Sequence, residues 1–542
     1  MNYVLTAKEM KNADMDTIQY YSVPQLVLME RAALECKREI LHKWAGILTP
    51  GCSVLVALGT GNNGGDGAAL ARMLYLDGYR VDIWVDPAKE RYSDALKQQL
   101  EICQKYGLTV KNPGQEQKSF SDCFPDAYDL VIDAMFGIGL SRDITGYYEE
   151  KMAFLNQLGG IKVAMDIPSG IQTDHGSVMG CAFRADMTVT FAAIKTGMLL
   201  QPGKTYCGET VICDIGISMK HLRFGLPEGV TFDRDDPISG LYPVRKQNSH
   251  KGTFGKALLI AGDDGTPGAA MLAAESLLRS GIGMVRLLAP GSIRDLVLSV
   301  LPEIMFSDRN ENMDFGSLLS WCDGVIIGPG LGKGERQKQI LHELADLLLS
   351  KNPDKKLPIV LDADALNLLS EEENIREKYS SLAQNGIPVI VTPHLEEMRR
   401  ISGFSRESLQ LTRMECIRDF CRKTGFILIC KDSATVVACY DKERFVYYIN
   451  QSGNSGMAAA GSGDVLSGIV GTSVIQLLLD NHDLTDMELS NLLQDYPVAF
   501  VSAVRAVYLH GKAGDTAALK YGETSMTSKD IIDGMINIMK EL

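Results

Sequence analysis

The chain alternates short apolar runs with longer stretches of helical composition. In its first part Val54–Leu58, Val81–Val85, Leu130–Ala134, Val163–Asp166 and Met187–Phe191 read as buried strands. Asp66–Leu76, Asp94–Tyr106 and Tyr147–Leu158 read as the helices between them, with Pro24–Trp44 ahead and a closing strand at Thr210–Asp214. Apolar runs separated by helices predict a mostly parallel sheet covered on both faces. From Ile217 to His250 the periodicity fails, and LPEG, DRDDP and ISGLYP have turn and linker composition. A second alternation follows. Strands are predicted at Ala257–Ala261, Met284–Ala289, Gly324–Ile327, Ile359–Asp362, Val389–Thr392, Ile427–Lys431 and Thr435–Ala438. Helices are predicted at Gly268–Ser280, Lys338–Ser350, Leu409–Thr424 and Val465–Asp480. The expectation is two α/β domains, 1–224 and 225–542.

Composition narrows the class. A chain of 542 residues is too long for one ordinary core, and 45% hydrophobic with 23% charged residues is the balance of a globular protein. A formal net charge of −14 argues against a general binder of nucleic acid or anionic membrane. The opening MNYVLTAKEMKNADMD lacks the layout of a signal peptide, and no apolar run is read as long enough to span a bilayer. The twelve cysteines contain no CxxC pair, so reduced thiols and a cytoplasmic location are expected. The eight histidines show no HExxH spacing, which argues against a structural zinc.

Candidate chemistry sits at the strand ends. Residues 59–70, GTGNNGGDGAAL, join the first strand to a helix, where free backbone N–H groups and the helix dipole favour a nucleotide phosphate. The loop satisfies GxGxxG, with Asp82 and Asp86 as candidate ribose acids; a tight turn with Asp66 as a helix cap is the plainer reading. It lacks GK[ST] and is not a Walker A loop. Asp133, Asp166, Ser169 and Lys195 end three further strands. In a parallel sheet such ends share one edge, where ligands bind. Asn63, Asp133 and Ser169 offer oxygens to a hard cation, and their low charge suits a monovalent ion. Asp166 and Lys195 form a candidate acid–base pair.

In the second half NSGMAAAGSGDVLSG places Gly461-Ser462-Gly463 before a long apolar helix, with Asp464 beside the anion hole this opening creates. A carboxylate there can take the proton of a hydroxyl that attacks a terminal phosphoryl group; a simple helix cap is the alternative. Asp362, Asp364 and Asn367 in LDADALNLL, His394, Glu396 and Glu397 in TPHLEEM, and Lys431 in KDSATVV stand at other strand ends. GPGLGKG and GDDGTPGAA are further glycine-rich loops.

The first-half motifs LMERAA, GTGNNGGDG, IDAMFGIGLSR, MDIPSG and ADMTVTF…K…PGK resemble those of the NAD(P)H-hydrate epimerase family over nearly all of residues 1–220. The resemblance implies a Rossmann-like three-layer domain that interconverts the R and S forms of hydrated NADH and NADPH. It assigns Asn62, Asn63, Gly64, Gly65, Asp66, Gly137, Ile138, Gly139, Leu140, Ser141, Arg142, Asp143 and Asp166 to the substrate. It assigns Asn63, Asp133 and Ser169 to a potassium ion.

From about residue 240 onwards, HKGTFGKALLIAG, PGAAMLAAESLLRSG, GPGLG, LDADALNLL, TPHLEEM, GSGDVLSG and YLHGKAGD resemble the ribokinase-like superfamily, and within it the ADP/ATP-dependent NAD(P)H-hydrate dehydratases. A second three-layer domain is implied, which dehydrates the S form with ADP or ATP and magnesium, ADP being the expected donor. Asp464 is then the catalytic base; Gly268, Gly330, His394 and Asp464 meet the substrate. Lys431, Asp432, Ser433, Ala434, Thr435 and Gly463 meet the nucleotide, and Glu397 orders magnesium through water. Asp432 departs from the family's KGxxT pattern and adds a negative charge near that nucleotide. Small-molecule partners and a homo-oligomer are expected, without nucleic acid or membrane. The rival readings of the same residues are a small-molecule kinase and a non-catalytic nucleotide sensor.

Overall fold

The computed structural model describes residues 1–85, 91–111, 120–238, 241–242, 245, 247–311, 314–350, 356–479 and 495–540. Asp86 and Asp480 lie outside them. The chain divides into two compact units, Asn2–Gly229 and Val230–Leu542, with Met1 counted in the second.

The first unit contains β1 (Asn2–Leu5), β2 (Ser53–Leu58), β3 (Arg80–Trp84), β4 (Val110–Lys111), β5 (Ala127–Ala134), β6 (Gly159–Met165), β7 (Met187–Phe191), β8 (Ile194–Lys195) and β9 (Glu209–Cys213). Seven of them form a sheet in the order β4-β3-β2-β5-β6-β7-β9, and every neighbouring pair is parallel. Both faces are buried, as apolar runs without alternation require. Val54, Val56, Leu58, Leu130 and Ile132 point to one core, with helices Gln25–Lys43 and Asn62–Leu76; Leu55, Ala57 and Val131 point to the other, with Met152 and Leu155 of Tyr147–Gln157. β1 and β8 pair with each other in parallel.

The second unit adds β10 (Gly229–Thr231), β11 (Lys256–Ile260), β12 (Met284–Ala289), β13 (Met305–Asp308), β14 (Gly324–Ile327), β15 (Ile359–Leu361), β16 (Val389–Val391), β17 (Ile427–Cys430), β18 (Val436–Asp441) and β19 (Arg444–Ile449). Its sheet runs β13-β12-β11-β14-β15-β16-β17-β18-β19-β10, parallel from β13 to β17 and antiparallel at β17–β18 and β18–β19.

Both sheets reverse strand order at one place. β2 lies between β3 and β5, and β11 between β12 and β14, so a crevice opens at the carboxyl ends of β2/β5 and of β11/β14.

Three expectations change. The first glycine-rich stretch is already helical: the helix starts at Asn62, capped by Gly61, rather than at Asp66. Leu409–Thr424 is two helices, Arg406–Leu411 and Arg413–Thr424, broken at Thr412 with φ −133° and ψ 43°. The helix Ser462–Leu479 is, among the described residues, long and apolar enough to cross a membrane, contrary to the expectation of no such run, but 67% of it is buried inside the fold. It packs against Pro267–Arg279 and Val498–Tyr521 as a core helix. None of the twelve cysteines forms a disulfide among the described residues.

The glycines of residues 59–70 bring backbone against backbone. A Cβ on Gly59 would lie 1.8 Å from the Met135 carbonyl oxygen, and one on Gly64 would lie 2.3 Å from the Gly59 oxygen. Gly59→Ala therefore forces the β2 and β5 ends apart and is expected to destabilise the first unit by about 2 kcal/mol or more. Thermal unfolding checks this; an unchanged transition would contradict the packing.

Candidate functional site

In the first unit a cavity of about 600 Å³ opens over the β2/β5 crevice. Among the sequence-predicted residues, Asn62, Asn63, Asp66, Asp166 and the run Gly137, Ile138, Gly139, Leu140, Ser141 and Arg142 line it. Gly64 and Gly65 are buried in packing behind them, Gly65 against the Met29 side chain, and Asp143 is exposed and outside the lining. With the helix capped at Gly61, Asp66 caps nothing; it sits in the second helical turn, where burial, Asp166 and Asp14 push its carboxyl well above the usual range. Asp82 accepts the Tyr128 hydroxyl at 2.7 Å, pairs with Lys111 at 3.0 Å, and does not line the cavity, so it is no ribose acid.

Asp166 follows β6 with φ 67°, a left-handed conformation a non-glycine residue adopts only under constraint. Its carboxylate meets Lys195, which is fully buried and also donates to Thr190 Oγ1 at 2.8 Å and to the Phe191 carbonyl at 3.1 Å. Lys195 is therefore no surface lysine. Asp166 lines the cavity; Lys195 stands behind it.

Beside this pair Asp133 is fully buried. It accepts from Ser169 Oγ at 2.7 Å, the Ser169 N–H at 2.7 Å and the Met135 N–H at 3.1 Å. Burial lifts its pKa to about 6 against those bonds. The Phe136 N–H donates to Ser169 Oγ at 2.8 Å. Gly137 lies against the same groups: a Cβ there would stand in van der Waals contact with Asp166 Oδ2 at 3.4 Å and the Asn63 Cβ at 3.5 Å. The loop Met135–Gly137 thus gathers Asn63, Asp133, Asp166 and Ser169. Asn63 Oδ1 is buried and has no hydrogen-bond partner among the described residues.

Sequence reasoning missed one wall. Met10, Lys11 and Asp14 of the helix Ala7–Met15 line the cavity. Burial, then Asp166, raise Asp14 to about 6, while Lys195 lowers it. The available signal was the capping box of Thr6 and Glu9, in which Glu9 Oε2 accepts the Thr6 N–H at 2.9 Å.

In the second unit the strand ends after β15, β16 and β17 converge on the opening of the helix Ser462–Leu479. Lys431 Nζ donates to Asp362 Oδ1 at 2.9 Å, and Ser467 Oγ donates to Asp362 Oδ2 at 2.5 Å. A Cβ on Gly463 would lie 3.3 Å from Lys431 Nζ. Asp464, in the same helical turn, is raised to about 7 by burial first and then by Asp362, with Lys431 opposing. His510 approaches Ser462 Oγ at 3.4 Å, and burial lowers it to about 4, so it is neutral.

His394 caps the helix Leu395–Ser402: its Nδ1 accepts the N–H groups of Glu396 and Glu397 at 3.1 and 3.3 Å, and Glu397 Oε2 accepts its N–H at 2.9 Å. Its backbone bridges to Lys431. The loop Lys431–Thr435 turns between β17 and β18, with Ser433 exposed and Ala434 buried. Asp432 is neutralised by Arg413 Nη1 at 2.6 Å, and Thr435 Oγ1 donates to the Asp432 carbonyl at 3.1 Å. The charge that stood out in the sequence is thus paired within the fold. At the β11/β14 crevice Thr266 Oγ1 donates to the Gly330 carbonyl at 2.7 Å, which brings the loop ahead of Gly268 against Gly330. Asp364 accepts the Gly332 N–H at 2.8 Å, so it anchors the GPGLGKG loop.

Comparison with known proteins follows the same division. A family model described as NAD(P)H-hydrate dehydratase matches residues 257–537, and one described as YjeF-related protein N-terminus matches residues 25–197. The bifunctional NAD(P)H-hydrate repair enzyme Nnr of Coxiella burnetii is 32% identical over 510 residues, 94% of this chain and 94% of that protein. The enzyme of the same name from Moorella thermoacetica is 32% identical over 556 residues, 100% of this chain and 97% of its own. A solved ADP/ATP-dependent NAD(P)H-hydrate dehydratase from Bacillus subtilis, co-crystallized with ATP/Mg2+, is 25% identical and covers 56% of this chain and 95% of that one, with a TM-score of 0.43.

Asp14 yields a test of the buried-carboxyl cluster. Its pKa rises from the ordinary 3.8 to about 6 on folding, so its contribution to stability is complete below about pH 4 and is lost as pH rises through 6. Asp14→Asn removes that loss. The variant should be more stable than the parent at pH 8, by up to ~3 kcal/mol, and no more stable at pH 4. Thermal unfolding at the two pH values checks it; an equal effect at both would contradict the raised pKa.

Proposed function

The chain belongs to the bifunctional NAD(P)H-hydrate repair enzymes, and we propose that its first unit epimerises the hydrate at the Asp166 cavity while its second unit dehydrates the S form at Asp464. The observation that carries the reading is the carboxyl of Asp464, raised to about 7, at the opening of a helix and beside the Lys431 ammonium. A base poised near neutral pH next to an anion site is what phosphoryl transfer to a hydroxyl requires.

In the second unit Asp464 takes the proton of the substrate hydroxyl as its oxygen attacks the terminal phosphoryl group of ADP or ATP. The bond to the leaving nucleotide breaks, giving AMP or ADP. The phosphorylated substrate then loses phosphate and a ring proton, and the nicotinamide double bond returns. Lys431 and the first N–H groups of the helix hold the anionic oxygens. Magnesium, bound with the nucleotide, would neutralise phosphate charge, with the buried carboxylate of Glu397 ordering its water. The loop Lys431–Thr435 and Gly463 face the nucleotide; Gly268, Gly330 and His394 face the substrate.

In the first unit the hydroxyl-bearing carbon adjoins the ring nitrogen, so reversible opening there exchanges R for S. Asp166, which reaches the cavity, exchanges protons with the substrate; Lys195, fully buried, acts through Asp166. The unpartnered Asn63 Oδ1, with the oxygens of Asp133 and Ser169, fits a weakly hydrated monovalent cation such as potassium. Such an ion would fix the anionic part of the substrate. A homo-oligomer working in the cytoplasm belongs to the same proposal.

The rate of dehydration reports Asp464 directly. The base acts only when ionised, so kcat/KM should fall about tenfold per pH unit below about 7 and level off above it. Asp464→Asn should lose on the order of 10² or more in kcat while still binding nucleotide. Steady-state recovery of NADH absorbance between pH 5 and 8 checks both. A flat profile, or an active Asp464→Asn variant, would remove Asp464 from the role of base.

A further inference from the structure

Asp362 lies fully inside the second unit and joins three segments far apart in sequence. It follows β15 directly, accepts from Lys431 Nζ at 2.9 Å after β17, and accepts from Ser467 Oγ at 2.5 Å in the Ser462–Leu479 helix. Ser467 Oγ also donates to the Gly463 carbonyl at 3.0 Å, so the same hydroxyl ties Asp362 to the helix opening. The backbone around it is constrained. Ala363 has φ 47°, and a Cβ on Gly328 would lie 1.8 Å from the Asp362 carbonyl oxygen.

A buried ion pair is a weak source of stability, because desolvation offsets most of its attraction. Its direct consequence is geometric. With the Asp362 carboxylate fixed, the Lys431 ammonium cannot swing away from the helix opening. Nothing in the phosphoryl-transfer step requires Asp362 to touch substrate or nucleotide.

We propose that Asp362 is a positioning residue of the dehydratase site, which locks the Lys431 ammonium and the first turn of the Ser462–Leu479 helix into one arrangement around the transferred phosphoryl group. The proposal rests on the reading of Asp464 as the base. The charged groups around that base are Asp362 and Asp364 from the β15 end and Lys431 from the β17 end, with Glu397 acting on Lys431. His510, on the Val498–Tyr521 helix, is neutral and faces Ser462. Asp362 holds Lys431 charged against its burial, and Lys431 holds Asp362 ionised below the usual carboxylate range. Removing the Asp362 charge takes a like charge from Asp464, while Glu397 and Asp464 itself remain to oppose the Lys431 cation. Losing the like charge favours the ionised base, so its pKa should fall.

The test is Asp362→Asn in the full chain, assayed by NADH recovery from the S form with ADP and with ATP. Wild-type turnover is established first, since its absence sinks the parent reading and not this one. With an active wild type and a folded variant, kcat should fall at least tenfold and the acid limb of the pH profile should move down by half a unit or more. A merely structural role would not move that limb. Wild-type kcat with an unmoved limb overturns the proposal. Should Asp362→Asn not fold, Ser467→Ala removes one bond of the carboxylate and leaves its charge. It should lower kcat severalfold with the limb in place; unchanged kcat would overturn the positioning role.

Discussion

Parallel pairing sends the carboxyl end of every strand to one edge of a sheet, and both proposed sites depend on that constraint. In the first unit the ends of β2 and β6 deliver Asn63 and Asp166 to a single cavity wall, with Asp133 of β5 buried in the fold. In the second the ends of β15 and β17 deliver Asp362 and Lys431 to the opening of one helix. The order reversal at β2 and β11 opens the edge where the loops diverge. Glycine makes the convergence tight, for no side chain fits where Gly59 meets the Met135 carbonyl or Gly328 meets the Asp362 carbonyl.

Burying so many carboxyls near one edge carries a cost, and the two units meet it differently. The second unit pairs its deepest acid: Asp362 has Lys431 and Ser467 and stays ionised. The first unit leaves Asp14, Asp66 and Asp133 short of compensating charge, and burial pushes all three up. Asp464, close to the paired acid of the second unit, is raised to about 7 by burial and by Asp362.

Much of this was legible because buried parallel strands are apolar runs that stop on a polar residue. β7, β12 and β14 occur where the pattern puts them, and the closing residues Asp133, Asp166, Asp362 and Lys431 stand out against it. The start of the helix Asn62–Leu76 was misread because glycine disfavours helix, which hid its first turn; close packing outweighs that propensity. The role of Asp82 was misread because GxGxxG spacing does not show that Tyr128 and Lys111 occupy its carboxylate. Helix Ala7–Met15 went unseen because it is short, and with it Asp14. The burial of Lys195 behind Asp166 is a tertiary fact that no local pattern carries.

The most direct measurement follows the return of NADH absorbance from a mixture of R and S hydrated NADH, supplied with ADP or ATP, magnesium and potassium. Wild type and Asp166→Ala are compared over the time in which the S form is consumed. Two working sites on one chain predict full recovery by the wild type and a halt near the S fraction in the variant. A wild type that halts at the S fraction, or a variant that recovers everything, would contradict the assignment of epimerisation to the Asp166 cavity.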